Sequence, residues 1–451
     1  MPYLSITDAD RKKMLQKIGV GSFEDILQDI PHKLRLNRPL NIPALSEMEV
    51  LAEVERLSLQ NRQGTICFAG GGVYDHFIPS ALNALASRPE FVTAYTPYQA
   101  EVAQGTLQVI YEYQTHICRL TGLDVANASM YDGATAAAEA ALICISVTDR
   151  NKIVVCETVS PLIREVIHTY VTPREVEIVT VPSSDGTTDL KKLAAAVDNR
   201  TACVIVAQPN FFGQLEEVER VGEIIHQAGG KLVMVVDPIV QALLKTPAEI
   251  GADLAVGEGQ PLGIPLSFGG PLLGFFTAKK DLVRSLPGRI AARTKDVDGK
   301  PGFVLTLQTR EQHIRRQKAT SNICTNQALC ATMASIYLSL MGKTGLKQVA
   351  LISAEKAQTT AAQIAALDGF ELYFRGPFVR EFAVRTPAPA RDVVLHMMDH
   401  GVLPGVDAGR WYPSMKNCLI VALTEKRTDV DIAALVGGLK ESSARGVLSG
   451  V

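Results

Sequence analysis

Four runs of aliphatic and β-branched residues alternate with helical stretches between residues 150 and 240, and they leave few folds open. They are Ile153-Val154-Val155-Cys156, Val176-Glu177-Ile178-Val179-Thr180-Val181, Cys203-Val204-Ile205-Val206 and Leu232-Val233-Met234-Val235-Val236. Three are apolar without a break, so those strands have no polar face to turn to water. Strands buried on both faces and separated by helices, such as the stretch Leu215 to Ala228, predict a mostly parallel sheet covered on each side. The fold class is α/β.

The chain outside this core divides by composition. Residues 1–60 read as mostly helical and charged, broken by Pro31, Pro39 and Pro43, and suit an arm that wraps a neighbour. Residues 61–330 form the expected large domain. Residues 331–451 form a smaller α/β domain, with strands at Phe382-Ala383-Val384 and Cys418 to Ala422 and helices over Arg391 to His400 and Asp429 to Lys440.

At 451 residues, 47% hydrophobic and 20% charged, the chain is long enough for a large core. A net charge of −2 argues against a nucleic-acid surface. The eight cysteines form no Cys-x-x-Cys pair and no zinc spacing, which suits small core residues in a reducing compartment. Met1 to Asp8 lack the charged-then-apolar order of a secretory leader, and no apolar run is long enough to span a membrane. A cytoplasmic location is expected.

The loop Gly257-Glu258-Gly259-Gln260-Pro261-Leu262-Gly263 resembles the lysine loop of pyridoxal-phosphate enzymes, with Gln260 where the lysine stands. A carboxamide nitrogen is not a basic nucleophile and forms no imine with an aldehyde. Asp237, which closes the last of the four apolar runs, lies 23 residues earlier. It reads either as a turn or cap aspartate or as the partner of a cofactor pyridinium. Ser129 to Ala136 leads small residues into an Ala-rich helix, whose N-terminus is either an ordinary cap or an anion site. Glu157 to Pro161 lacks the ring that such folds stack on the cofactor.

Three further segments carry chemistry. Gly70-Gly71-Gly72 reads first as a tight turn. Tyr95 and Tyr98 sit in a stiff Pro97 loop and are either packing residues or hydroxyl donors in a substrate pocket. Arg310 to Lys318 is the most basic stretch, either a solvated helix face or an anion site, with Arg315 the candidate there. Its continuation, Ala319-Thr320-Ser321-Asn322-Ile323, resembles a run in cysteine-desulfurase-like enzymes. By that resemblance Thr320, with Ser321 and Asn322, reaches the cofactor phosphate of a neighbouring subunit.

Taken together, Gly70 to His76, Thr93 to Gln99, Gln104 to Gln108, Ala126 to Gly133 and Lys318 to Asn326 resemble the glycine decarboxylase P-protein family of the glycine cleavage system. The length and Gln260 resemble its first, alpha subunit in the two-subunit form. The resemblance implies fold type I of pyridoxal enzymes and an α2β2 assembly. It also implies that a second, beta subunit binds pyridoxal phosphate (PLP) through its own lysine. That enzyme decarboxylates glycine and passes the aminomethyl group to the lipoyl arm of H-protein. Tyr95, Tyr98 and Arg315 are the candidate wall that this chain lends to the shared site. Two other readings stay open: an autonomous PLP enzyme using Lys245, Lys279 or Lys280, and a non-catalytic scaffold.

Overall fold

The computed structural model describes residues 5–323 and 326–444. The chain divides into two compact units, Met1–Gln63 and Gly64–Val451.

The first unit contains helices α1 (Asp8–Ile18) and α2 (Glu47–Ser58). Each begins at a capping box, Thr7 with Asp10 and Ser46 with Glu49, which satisfies the first free N–H groups of the helix. None of its described residues is buried. Ile18, Phe23, Ile42, Met48 and Leu51 are all more than half exposed.

In the second unit the chain runs through α3 (Gln104–Thr121), β1 (Val125–Ala126), α4 (Gly133–Thr148), β2 (Lys152–Cys156), α5 (Pro161–Val171) and β3 (Glu177–Val181). It continues through β4 (Thr201–Gln208), α6 (Val218–Gln227), β5 (Lys231–Val236), β6 (Leu254–Glu258) and β7 (Gly274–Ala278). The seven strands form one sheet in the order β1-β7-β6-β5-β4-β2-β3. Strands β6, β5, β4, β2 and β3 run parallel, and β7 runs against both its neighbours. Every residue of β2 and β4 is buried, as unbroken apolar runs require. Helix α6 starts at Val218 and not at Leu215. The Leu215 N–H donates to the Pro377 carbonyl and the Glu216 N–H to the Gln208 side chain, which keeps those residues extended.

A hairpin, β8 (Ile290–Lys295) and β9 (Pro301–Thr306), follows the sheet. Helix α7 (Ala328–Ala365) is broken at Gly342, whose φ is 59° and ψ −173°. The rest is β10 (Glu371–Leu372), β11 (Glu381–Arg385), α8 (Ala390–Asp399), β12 (Val406–Asp407), β13 (Cys418–Ala422) and α9 (Asp429–Ala444). The four strands form an antiparallel sheet in the order β10-β11-β13-β12. Two large apolar cores result. Tyr337, Val349 and Ala350 of α7 lie in the core of the seven-stranded sheet, whereas Ala357, Ala361 and Ile364 lie in that of the smaller sheet. The seven cysteines among the described residues are unpaired. No described helix is long and apolar enough to cross a membrane.

Candidate active site

The carboxyl ends of β4, β5 and β6 and the N-terminus of α4 line a cavity of about 230 Å³ together with Glu381 and Gly71 to Tyr74. In an open α/β sheet this crevice is where ligands bind. Here the chain's own side chains occupy the polar positions around it.

Gln260 is 2% exposed, and its carboxamide is fully engaged. Its Oε1 accepts from the Tyr74 N–H at 2.9 Å, and its Nε2 donates to the Tyr74 carbonyl at 3.0 Å and the Ile264 carbonyl at 2.7 Å. An amide can donate and accept in this way, and an ammonium group cannot. Gln260 therefore ties the Gly70–Tyr74 segment to the end of β6.

Asp237 holds two sets of partners. Its Oδ1 accepts from the N–H groups of Ile239 and Val240, so it caps the turn that follows β5. Its Oδ2 accepts from Arg380, which is buried at the entry to β11. The Arg380 guanidinium also stacks on the Tyr74 ring, 3.5 Å from its centroid, and donates to His76 Nε2. Because arginine only donates, the imidazole proton sits on Nδ1 and is given to Glu425 at 2.6 Å. Burial lowers the pKa of His76, consistent with that neutral ring.

The N-terminus of α4 faces carboxylates of its own chain. Asp132 caps it by accepting from the Thr135 N–H at 2.7 Å. Glu258 accepts from the Gly133 N–H at 2.9 Å, and also from the N–H groups of Gln260 and Leu273. Burial pushes the Glu258 carboxyl up to about 7, against the pull of those three donors. Gly133 must be glycine, because a Cβ there would lie 2.8 Å from the Glu258 nitrogen. Of the three glycines before Val73, Gly70 has a similar steric role. A Cβ at Gly70 would meet the Glu381 carboxylate and the Tyr74 ring, and the Gly71 N–H donates to Glu381 at 2.7 Å.

PLP needs a lysine, an anion slot and a free carboxylate for its ring nitrogen. The resemblance puts the first at Gln260, which is bound to the Tyr74 backbone; the N-terminus of α4 receives Glu258, and Asp237 is paired with Arg380. The residues present do not fit the cofactor. Of the alternative lysines, Lys279 and Lys245 are engaged elsewhere. Lys279 follows β7, whose end pairs with the start of β6 at Leu254, so it lies at the amino edge of the sheet, away from the cavity. Its Nζ is bound to Asp253 at 2.9 Å, and that of Lys245 to Glu219 at 3.1 Å.

The other predicted residues lie apart from this cavity. Tyr95 is 80% and Tyr98 49% exposed. Tyr98 meets the basic stretch through His313, with ring centroids 5.8 Å apart. Arg315 is exposed, and its Nε donates to the Thr309 carbonyl at 3.2 Å. Arg310 is buried and serves the backbone, donating to the carbonyls of Leu286, Gly288 and Leu307. Thr320 and Asn322 are exposed, whereas Ser321 donates to Glu139 at 2.9 Å. These three residues line a second, polar cavity of about 510 Å³ with Arg174, Arg316 and Gln317. Cys324 and Thr325, which follow in the same motif, lie outside the described residues.

Arg380, Glu381, His76, Glu258 and Glu425 escaped the sequence reading as parts of this site. Arg380 and Glu381 reach it from the smaller sheet, and Glu425 from the loop after β13, with no local pattern to mark them.

The sequence pattern of the family described as glycine cleavage system P-protein matches residues 1–439. A protein of Chlorobium chlorochromatii named probable glycine dehydrogenase (decarboxylating) subunit 1 is 51% identical over 448 residues, covering 98% of this chain and 100% of that one. A protein of the same name from Carboxydothermus hydrogenoformans is 50% identical, covering 97% and 98%. A crystal structure of glycine decarboxylase (P-protein) in inhibitor-bound form superposes with a TM-score of 0.89 at 42% identity, covering 98% of this chain and 100% of that one. A NifS-like protein shares the fold at 10% identity, with a TM-score of 0.62 and coverage of 84% and 99%. With the family pattern, the full-length relatives and the shared fold in agreement, the chain belongs to the glycine cleavage system P-protein family.

Proposed function

We propose that this chain is the first subunit of glycine dehydrogenase (decarboxylating) and that it works on a cofactor held by a second subunit. The observation that carries this reading is the self-satisfied set of polar groups at and around the cavity: Gln260 is engaged by the Tyr74 backbone, Glu258 by the Gly133 N–H and Asp237 by Arg380. PLP supplies an electron sink for loss of carbon dioxide wherever it is bound. In this reading the partner supplies the lysine, the pyridinium carboxylate and the stacking ring. The products are carbon dioxide and an aminomethyl group passed to lipoylated H-protein, and the assembly is α2β2.

This chain contributes the wall of the shared site. Thr320, with Ser321 and Asn322, faces the partner's cofactor phosphate, and Tyr95, Tyr98 and Arg315 face glycine. The exposure of Tyr95, Tyr98, Thr320 and Asn322 suits residues that are completed by another subunit. The unburied apolar side chains of residues 5–63 suit a segment whose core is supplied on assembly. In this scheme 1–60 is the arm, 61–330 the large domain and 331–451 the small one.

The test is to co-express the chain with candidate second subunits and to reduce the purified complex with borohydride in the presence of PLP. The pyridoxyl group is expected on a lysine of the partner, with none on this chain. A pyridoxyl lysine on this chain, together with turnover by the chain alone, would overturn the reading.

A further inference from the structure

Tyr98 rests on a buried charged cluster that the fold does not need for its core. Arg289, just before β8, is 4% exposed, and its backbone carbonyl accepts from the Ala128 N–H at 2.8 Å. Its guanidinium donates to the Tyr98 hydroxyl oxygen at 3.0 Å and lies 5.3 Å from the ring centroid. Behind it Glu311, 5% exposed, places a carboxylate oxygen 3.8 Å from Arg289 Nε and 3.7 Å from His313 Nδ1. The Arg289 Nε and Glu311 Oε1 atoms are buried without a hydrogen-bond partner. A buried ion pair with free polar atoms is expensive to keep, and one beneath a half-exposed tyrosine calls for a use. The Tyr98 segment is itself pinned. The Gln104 side chain accepts from the Phe303 N–H at 2.8 Å, donates to the Phe303 carbonyl at 2.8 Å and donates to the Ala100 carbonyl at 2.7 Å.

The direction of the Arg289–Tyr98 bond fixes what the tyrosine offers. Arginine only donates, so the phenolic oxygen accepts, and the hydroxyl's own proton turns outward. We infer that Arg289, held by Glu311, is a positioning residue that makes Tyr98 a hydrogen-bond donor toward an anionic group, the carboxylate of the amino-acid substrate. The inference rests on the reading above that Tyr98 faces glycine. A neutral hydroxyl aimed in this way binds a carboxylate without placing a second cation on the exposed face.

The experiment uses the assembled enzyme with Tyr98→Phe, Arg289→Lys and the double variant. Glycine binding is measured by calorimetry and by the KM-against-kcat split, with co-purification of the partner as the check on assembly. Tyr98→Phe is expected to weaken glycine about 10-fold, as loss of one such bond implies, with kcat within about 2-fold. Arg289→Lys is expected to weaken glycine several-fold in the native background and to have no further effect in the Tyr98→Phe background. Glu311→Gln, which keeps the shape, replaces Arg289→Lys if that variant does not assemble, with the same dependence on Tyr98. An equal effect of Arg289→Lys in both backgrounds would give Arg289 a purely structural role and overturn the inference. If Tyr98→Phe weakens glycine and neither Arg289→Lys nor Glu311→Gln does, the inference falls and the assignment of Tyr98 stands. If Tyr98→Phe has no effect, both fall.

Discussion

Arg380 donates to Asp237 across 143 positions of sequence, and this bond joins the smaller sheet to the end of β5. The guanidinium is held on three sides, by Asp237, by the His76 ring and by the face of Tyr74. Each partner comes from a different stretch of chain, so the pair links two sheets beside the cavity that Asp237 lines.

Arg380→Met should therefore cost stability without creating a cofactor site. It leaves the Asp237 carboxylate short of one donor and His76 Nε2 without its donor. Removing one member of such a buried pair costs about 3–5 kcal/mol. Urea unfolding of the isolated chain measures this. A loss under about 1 kcal/mol would show that the pair carries little of the link between the sheets.

Gln260→Lys should not make this chain a PLP enzyme. The substitution removes the acceptor for the Tyr74 N–H and forces an ammonium group into a buried carboxamide site. The unsatisfied groups cost about 1–3 kcal/mol. Glu258 is still engaged by the Gly133 N–H and Asp237 by Arg380. Addition of PLP to the purified variant is expected to leave its visible absorbance that of free PLP. A new absorbance band together with a borohydride-fixed adduct at position 260 would contradict this.

Glu258 gives a pH signature with a definite sign. Its folded pKa, about 7, lies above the ordinary 4.5. A raised acid contributes stability that is fully present below the unfolded pKa and is lost as pH rises through the folded one. The contribution should therefore decline between about pH 4.5 and 7, by roughly 3 kcal/mol across that window. Unfolding of the native chain and of Glu258→Gln at a series of pH values isolates it. The stability difference, native minus variant, should fall as pH rises. A flat difference would show that the three backbone donors hold Glu258 ionised throughout.

Thr320→Val should act on the complex and leave assembly intact. If the hydroxyl donates to the partner's cofactor phosphate, its loss removes a charge-assisted bond of about 1.5–3 kcal/mol while nearly keeping shape. Cofactor affinity of the complex should fall by about one to two orders of magnitude. Sedimentation checks assembly, and a PLP titration followed by absorbance gives affinity. Unchanged affinity in an intact complex would make Thr320 a structural residue.

Much of the scaffold was legible because strand burial is written locally. The apolar runs at Ile153, Cys203 and Leu232 have no polar face, so they became central strands of one sheet. The start of α6 was misplaced by three residues, because Leu215 and Glu216 find distant hydrogen-bond partners that outweigh local helix propensity. Asp237 was visible as a residue with two readings: its Oδ1 makes the turn contact, and its Oδ2 accepts from Arg380, a partner that neither reading named.

The chain's own sequence determined that the loop after β6 carries a carboxamide at position 260, since Gln260 is a single residue type at a single position with no basic nitrogen. It also determined the parallel sheet, because side-chain periodicity depends only on neighbours. Whether the cavity remained able to take a cofactor was decided only in the tertiary structure. Arg380 reaches Asp237, and Glu258 reaches the Gly133 N–H, through hydrogen bonds between segments far apart in sequence. A hydrogen bond depends on the distance and angle between two atoms, and no spacing along the chain sets these until the sheets have packed.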